Sequence, residues 1–275
     1  MQVTYVRTLA YVAVWGALAV AAVSFGPGVL AGLSPDVAPA PAPQAYADTT
    51  ELPEVLSSDG TKIVVGDPKA KTVVRFYEDP RCPVLADFES TGAKAIRAQT
   101  IQGRTRTEYV LASFKDGSLG GDGSKRAVNA LRAALDAQKF TEFHAVLMEN
   151  QAEAEASGGY STQRLLSLAD KVPGLRSEAF DTAVSTMKYS DFVTASLTAY
   201  RQTGEDPIGP GTPSVTINTT MLTGELYDDL FDENALTGVL IAVERTPEVL
   251  GNRRGYGRSP ADRQVGGASA DESRT

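Results

Sequence analysis

The chain has 275 residues, long for one domain and short for two plus a tail, and 42% of it is apolar, enough for one sizeable core. Its formal charge is -8, with the excess of acid lying between Asp48 and Arg245; such a body repels phosphate backbones, so nucleic acid is not an expected partner. With one cysteine, Cys82, and one histidine, His144, an internal disulfide and a Cys/His zinc site are both excluded, and a Ser-His-Asp site would have to use His144.

Residues 9–25 (LAYVAVWGALAVAAVSF) carry no charge and span about 17 positions, near the lower limit for crossing a bilayer. Arg7 precedes the run and Gly26-Pro27-Gly28 breaks it. It reads as an uncleaved anchor with the body outside the cytoplasm. A cleaved signal is the alternative, since Val29-Leu30-Ala31 and Ala45-Tyr46-Ala47 both offer the small residues signal peptidase prefers. The expected divisions are a hydrophobic segment over 1–33, a Pro/Ala-rich spacer over 34–51, a globular body over 52–245 and a disordered tail over 246–275.

Within the body, residues 62–65 predict a short strand, and residues 72–77 (TVVRFY), β-branched and aromatic, predict a buried one. Cys82-Pro83 then opens a helical stretch to about Thr100, and residues 105–112 predict another strand. Strand, helix, strand at this spacing is a βαβ unit, so those two strands should run parallel. The Gly120-Gly121-Asp122-Gly123 stretch lacks the Gly-Lys-Ser/Thr of a phosphate loop and reads as a flexible loop; no cofactor motif occurs. A block of helices follows to Gly204, with Ser161 and Ser177 as helix N-caps. After the Pro/Gly-rich loop 207–213 come a strand over 214–218, a hairpin partner over 221–224, and a last helix over 233–245 capped by Asp232 and ended by Pro247.

Cys82 before Pro83 reads as a helix N-cap, with proline at the favoured first helical position. A helix N-terminus stabilises a thiolate, the nucleophilic form, and Arg81 would add positive charge beside it. An inert sulfur packed beneath the loop is the competing reading. Glu78 and Asp79 read as loop surface or caps, and His144, among Phe140, Phe143 and Leu147, as a packing residue.

Three segments carry a family resemblance. The stretch 72–83 (TVVRFYEDPRCP) looks like the strand and active-site turn of DsbA-like thioredoxin-fold proteins. The stretch 127–147, with its Lys-Phe-x-x-Phe-His pattern, resembles the helices inserted in that family, here about 120–204. Gly211-Thr212-Pro213 resembles its Gly-Thr-Pro segment. The resemblance implies an α/β thioredoxin fold with a helical insertion. It also implies a cis Thr212–Pro213 bond facing Cys82, and a groove of Pro83, Thr212 and Pro213 in which the Thr212 backbone pairs with an extended peptide. Two departures stand out. The family's C-P-x-C motif reads Cys82-Pro83-Val84-Leu85, so the resolving cysteine is missing, and the acid often found six residues before the first cysteine is Phe76. Two functions remain open: thiol-disulfide chemistry through Cys82 alone, or a non-catalytic chaperone-like module binding peptides in the same groove. Both imply extracytoplasmic protein or peptide partners, and neither implies a metal or cofactor.

Overall fold

The computed structural model describes residues 44–204 and 206–250. The hydrophobic run 9–25 and the tail from 251 lie outside the described residues, and among those described no helix is long and apolar enough to cross a membrane.

The expected strands form around one six-stranded sheet of order β1-β2-β4-β3-β5-β6. Its members are β1 (Glu54–Leu56), β2 (Ile63–Val65), β3 (Thr72–Glu78), β4 (Thr105–Leu111), β5 (Ser214–Ile217) and β6 (Thr220–Met221). The parallel β3–β4 pair predicted from the βαβ spacing is present, with Phe76 opposite Tyr109, and every other pairing is antiparallel. Strand alternation sends Val74 and Phe76 of β3 into the main core and Tyr77 into a smaller core on the opposite face with Val110, Ala112 and Tyr200.

The crossover is two helices, α1 (Leu85–Ser90) and α2 (Gly92–Ile101), not one. Thr91 breaks the run at φ -128°, ψ -97°. Gly92 follows because a Cβ there would overlap the carbonyl oxygen of Leu230. The insertion supplies α3 (Asp116–Leu119), α4 (Gly123–Asp136), α5 (Phe140–Glu149), α6 (Gln151–Ala156), α7 (Thr162–Ala169), α8 (Glu178–Ser185) and α9 (Ser190–Arg201). After β6 come α10 (Glu225–Asp228) and α11 (Glu233–Arg245). Ser161, Ser177 and Asp232 accept from amides of their own first turns, as expected of caps.

The body is longer than the sequence suggests at both ends. Residues 46–51 belong to it rather than to the spacer: the Tyr46 amide donates to Ile101 at 2.8 Å and Tyr46 packs on the core. Leu250, beyond Pro247, is also buried. The edge strand β1 is held by an unusual contact. The buried carboxylate of Glu54 accepts from the amides of Phe140 at 2.8 Å and Thr141 at 2.7 Å, and from the Thr141 hydroxyl. A strand residue thereby caps α5, whose own preceding residue, Lys139, offers no cap.

Candidate active site

The turn after β3 carries Cys82, and the loop before β5 faces it. The Thr212–Pro213 bond is cis. The carbonyl of that bond accepts from Cys82 Sγ at 3.1 Å, so cysteine and cis-proline meet as the Gly-Thr-Pro resemblance implies. Cys82 has no exposed surface, and Thr212 is buried beside it. The expectation of a free Thr212 backbone is therefore corrected at its carbonyl, which the thiol occupies.

Cys82 is not the helix N-cap. The α1 helix begins at Leu85 with Val84 in the N-cap position, and Pro83 and Val84 lie in a turn closed by the Leu85 amide on the Cys82 carbonyl at 3.0 Å. The thiol is thus set back from the helix end, and its partner is a carbonyl oxygen rather than a row of amides. Leu85, where the resolving cysteine is missing, is fully buried in the core with Phe76 and Phe88.

Arg81 does not serve the sulfur. Its guanidinium forks onto Glu155 at 2.8 and 2.9 Å and donates through Nη1 to Asp116 at 3.0 Å and to the Gly120 carbonyl at 2.8 Å. Its charge is spent fastening the turn to the helical insertion. Gly120 is consequently part of a polar seam, not merely flexible loop.

Glu78 and Asp79 are not loop surface; neither has any exposed surface. One oxygen of Asp79 accepts from the Arg81 amide at 3.1 Å and the Ser124 hydroxyl at 2.7 Å, and the other from the Lys115 amide at 2.8 Å. Burial, with Asp116 adding to it, pushes its carboxyl up to about 6 against those hydrogen bonds. Glu78 faces His144, whose Nε2 lies 2.8 and 3.0 Å from its two oxygens. His144 packs edge-on against Tyr109, as a core histidine would, but it is also half of this buried ion pair. Burial raises Glu78. Burial alone would lower His144, but Glu78, with Glu89 adding to it, leaves the imidazole raised.

Ligand atoms of Glu78, Glu89 and His144 lie within 4.8 Å of one another, a spacing a cation could bridge. Arg97 already pairs with Glu89 at 2.6 Å. Glu78 is likewise engaged by His144 Nε2, so each of the three ligand-bearing groups already has a protein partner.

Sequence reasoning missed the residue that holds the turn most directly. Gln151, buried at the start of α6, donates to the carbonyls of Pro80 at 2.8 Å and Cys82 at 2.7 Å. Tyr200 was also missed: its hydroxyl accepts from the Gly211 amide at 3.1 Å, next to Thr212.

A sheet crossed by α1 and α2, interrupted by a helical block, with a cysteine set against a cis-proline, defines a DsbA-like thioredoxin-fold protein. The thioredoxin family model matches residues 58–233, and the chain belongs to that family. Among solved structures it is similar to the MdbA protein, a thiol-disulfide oxidoreductase from Corynebacterium matruchotii, at 19% identity and TM-score 0.55 over 66% of this chain and 91% of that one. The MdbA protein of Actinomyces oris matches at 20% and 0.55 over 67% and 89%, and BdbD of Bacillus subtilis at 18% and 0.54 over 74% and 98%. No curated protein sequence matches the chain. These likenesses are of fold; the chemistry rests on this chain's own residues.

Proposed function

We propose that this protein is an extracytoplasmic relative of the thiol-disulfide oxidoreductases that acts through Cys82 alone. The observation that carries the reading is the bond from Cys82 Sγ to the carbonyl of the cis Thr212–Pro213 peptide, which keeps the one thiol at the seam between two loops. In the reaction the Cys82 thiol loses its proton and the thiolate attacks a disulfide of a partner protein or peptide. The Cys82–sulfur bond forms, the partner's sulfur–sulfur bond breaks, and the leaving sulfur departs as a thiolate that takes up a proton. Leu85 cannot resolve the adduct, so a second thiol from outside the chain must do so. Because Cys82 is fully buried, the site must open before the sulfur can react, and the bond to the Thr212 carbonyl makes loop 206–212 the wall that would part.

The same burial fits Cys82 as a packing residue, and the alternative reading is then a non-catalytic peptide-binding module. Both place the body outside the cytoplasmic membrane, held by residues 9–25 or released after cleavage, with extended peptides or protein thiols as partners. Trapping by acid quench and alkylation in cells separates them. Adducts that are present in wild type, lost in Cys82→Ala and reversed by reductant are expected; their absence, with partners retained by Cys82→Ala, overturns single-thiol action. A reporter fused after Asp48 that is active only in the cytoplasm would overturn the location.

A further inference from the structure

Loop 206–212 faces the active-site turn, where the Thr212 carbonyl meets Cys82 Sγ. Within the loop, the Ile208 and Gly209 amides both close onto Asp206, at 2.9 Å each, so it is a preformed turn. The Ser214 hydroxyl donates back to the Pro210 carbonyl at 3.1 Å. Among the described residues, the other hydrogen bonds that tie the loop to the rest of the fold run to Cys82 and to one aromatic side chain. Tyr200, at the end of α9, is only 1% exposed. Phe114 stacks on its ring at 5.3 Å between centroids with 14° between planes. Gly209 lies so close to that ring that a Cβ would overlap it, and its φ of +98° is one that favours glycine. The Tyr200 hydroxyl then takes the Gly211 amide, and the next residue supplies the carbonyl that holds Cys82 Sγ.

We propose that Tyr200 is a positioning residue for Cys82: it holds loop 206–212 against the active-site turn and thereby sets how often the sulfur becomes accessible. This rests on the reading that Cys82 is the reacting group, but it concerns access rather than turnover. A buried thiol reacts with a small alkylating agent only through local opening, and the rate reports the population of the open form. Deleting the phenol oxygen removes one hydrogen bond from the closed form alone, worth roughly a fivefold rise in that population.

The test is the rate of iodoacetamide alkylation of Cys82 in the folded full-length chain. Tyr200→Phe is expected to react roughly fivefold faster than wild type at unchanged reagent concentration. Gly209→Ala, which forces the loop off the ring, should react faster than wild type and carries the test if Tyr200→Phe fails to fold. Val243→Ala, on α11 and outside the smaller core that holds Tyr200 although in the main core with Cys82, controls for general loosening and, compared with Tyr200→Phe at equal distance from its own urea midpoint, should stay near wild type. Equal rates for Tyr200→Phe and wild type overturn the proposal, as does equal acceleration in the Val243→Ala control. Absence of partner adducts in cells would instead overturn single-thiol action and leave this result standing.

Discussion

Asp79 makes the fold of this protein respond to acid in the direction opposite to most carboxylates. It sits without solvent exposure between the active-site turn and the loop leading into α4. Burial, together with Asp116, raises its carboxyl from an ordinary 3.8 to about 6. The native state therefore binds that proton more tightly than the unfolded chain does. Stability from this group is least at neutral pH, rises as pH falls through about 6, and is complete below the unfolded value. A shift of about two units corresponds to about 3 kcal/mol in full, of which about 2 kcal/mol falls between about pH 7.5 and about pH 4.5. The perturbation is Asp79→Asn, which removes the titration while keeping the shape. At neutral pH its effect is mixed, because the buried charge is lost but one of three donors to Asp79 then faces an amide nitrogen. The decisive quantity is the pH dependence of the difference between the two proteins, measured by urea unfolding at a series of pH values. Wild type should gain about 2 kcal/mol on the variant over that interval, while groups common to both largely cancel. A difference that stays flat within about 0.5 kcal/mol, or that moves in favour of the variant on acidification, refutes the reasoning.

Two further outcomes follow from the core beneath the turn. Leu85→Cys should cost the reduced protein about 2 kcal/mol, roughly two lost methyl equivalents plus a small cavity. It should also form a disulfide with Cys82 under mild oxidant, read as the loss of two titratable thiols; persistence of both thiols means that the turn keeps their sulfurs apart. His144→Phe leaves Glu78 buried without its partner and should cost about 3–5 kcal/mol in urea unfolding, whereas the double variant Glu78→Leu with His144→Phe should cost distinctly less. Additive costs would show that the pair does not act as a unit.

The architecture was legible wherever local chemistry and burial agreed. The TVVRFY run reads as a strand because every second residue enters a core, and Ser161, Ser177 and Asp232 declare helix starts because their side chains bond amides only a few positions away. The β1 strand escaped notice because it inverts the usual signal: Glu54 points inward and Val55 is 54% exposed. The active-site turn was legible in composition but not in direction. Arg81 adjoins Cys82 in sequence, yet its acceptors are Asp116, Gly120 and Glu155, which only the tertiary fold brings near. Acids at a strand end are normally solvated, so nothing local marks Glu78 and Asp79 as buried; that is decided by His144 and Ser124, which lie 66 and 45 positions away in sequence. The Cys82-Pro83 pair suggests a helix cap, whereas the chain spends Pro83 and Val84 on a turn before the first helical bond. Gln151 opens a run of alanines and glutamates that reads as ordinary helix surface, and only the carbonyls of Pro80 and Cys82 beneath it reveal its task.

The contact from Glu54 to α5 fixes where this domain can be cut. Hydrophobic alternation becomes clear only at β2, which invites a boundary near residue 60 for recombinant work. A fragment begun there would keep every predicted strand and nearly all of the core. It would also leave the amides of Phe140 and Thr141 facing the site of a carboxylate that is no longer present. Those donors are buried, so water could satisfy them only by entering the base of α5, the helix that also carries His144. Damage from a trim at one edge of the sheet would thus surface beneath the active-site turn, and loss of function in such a fragment would reflect a frayed helix rather than a missing binding residue.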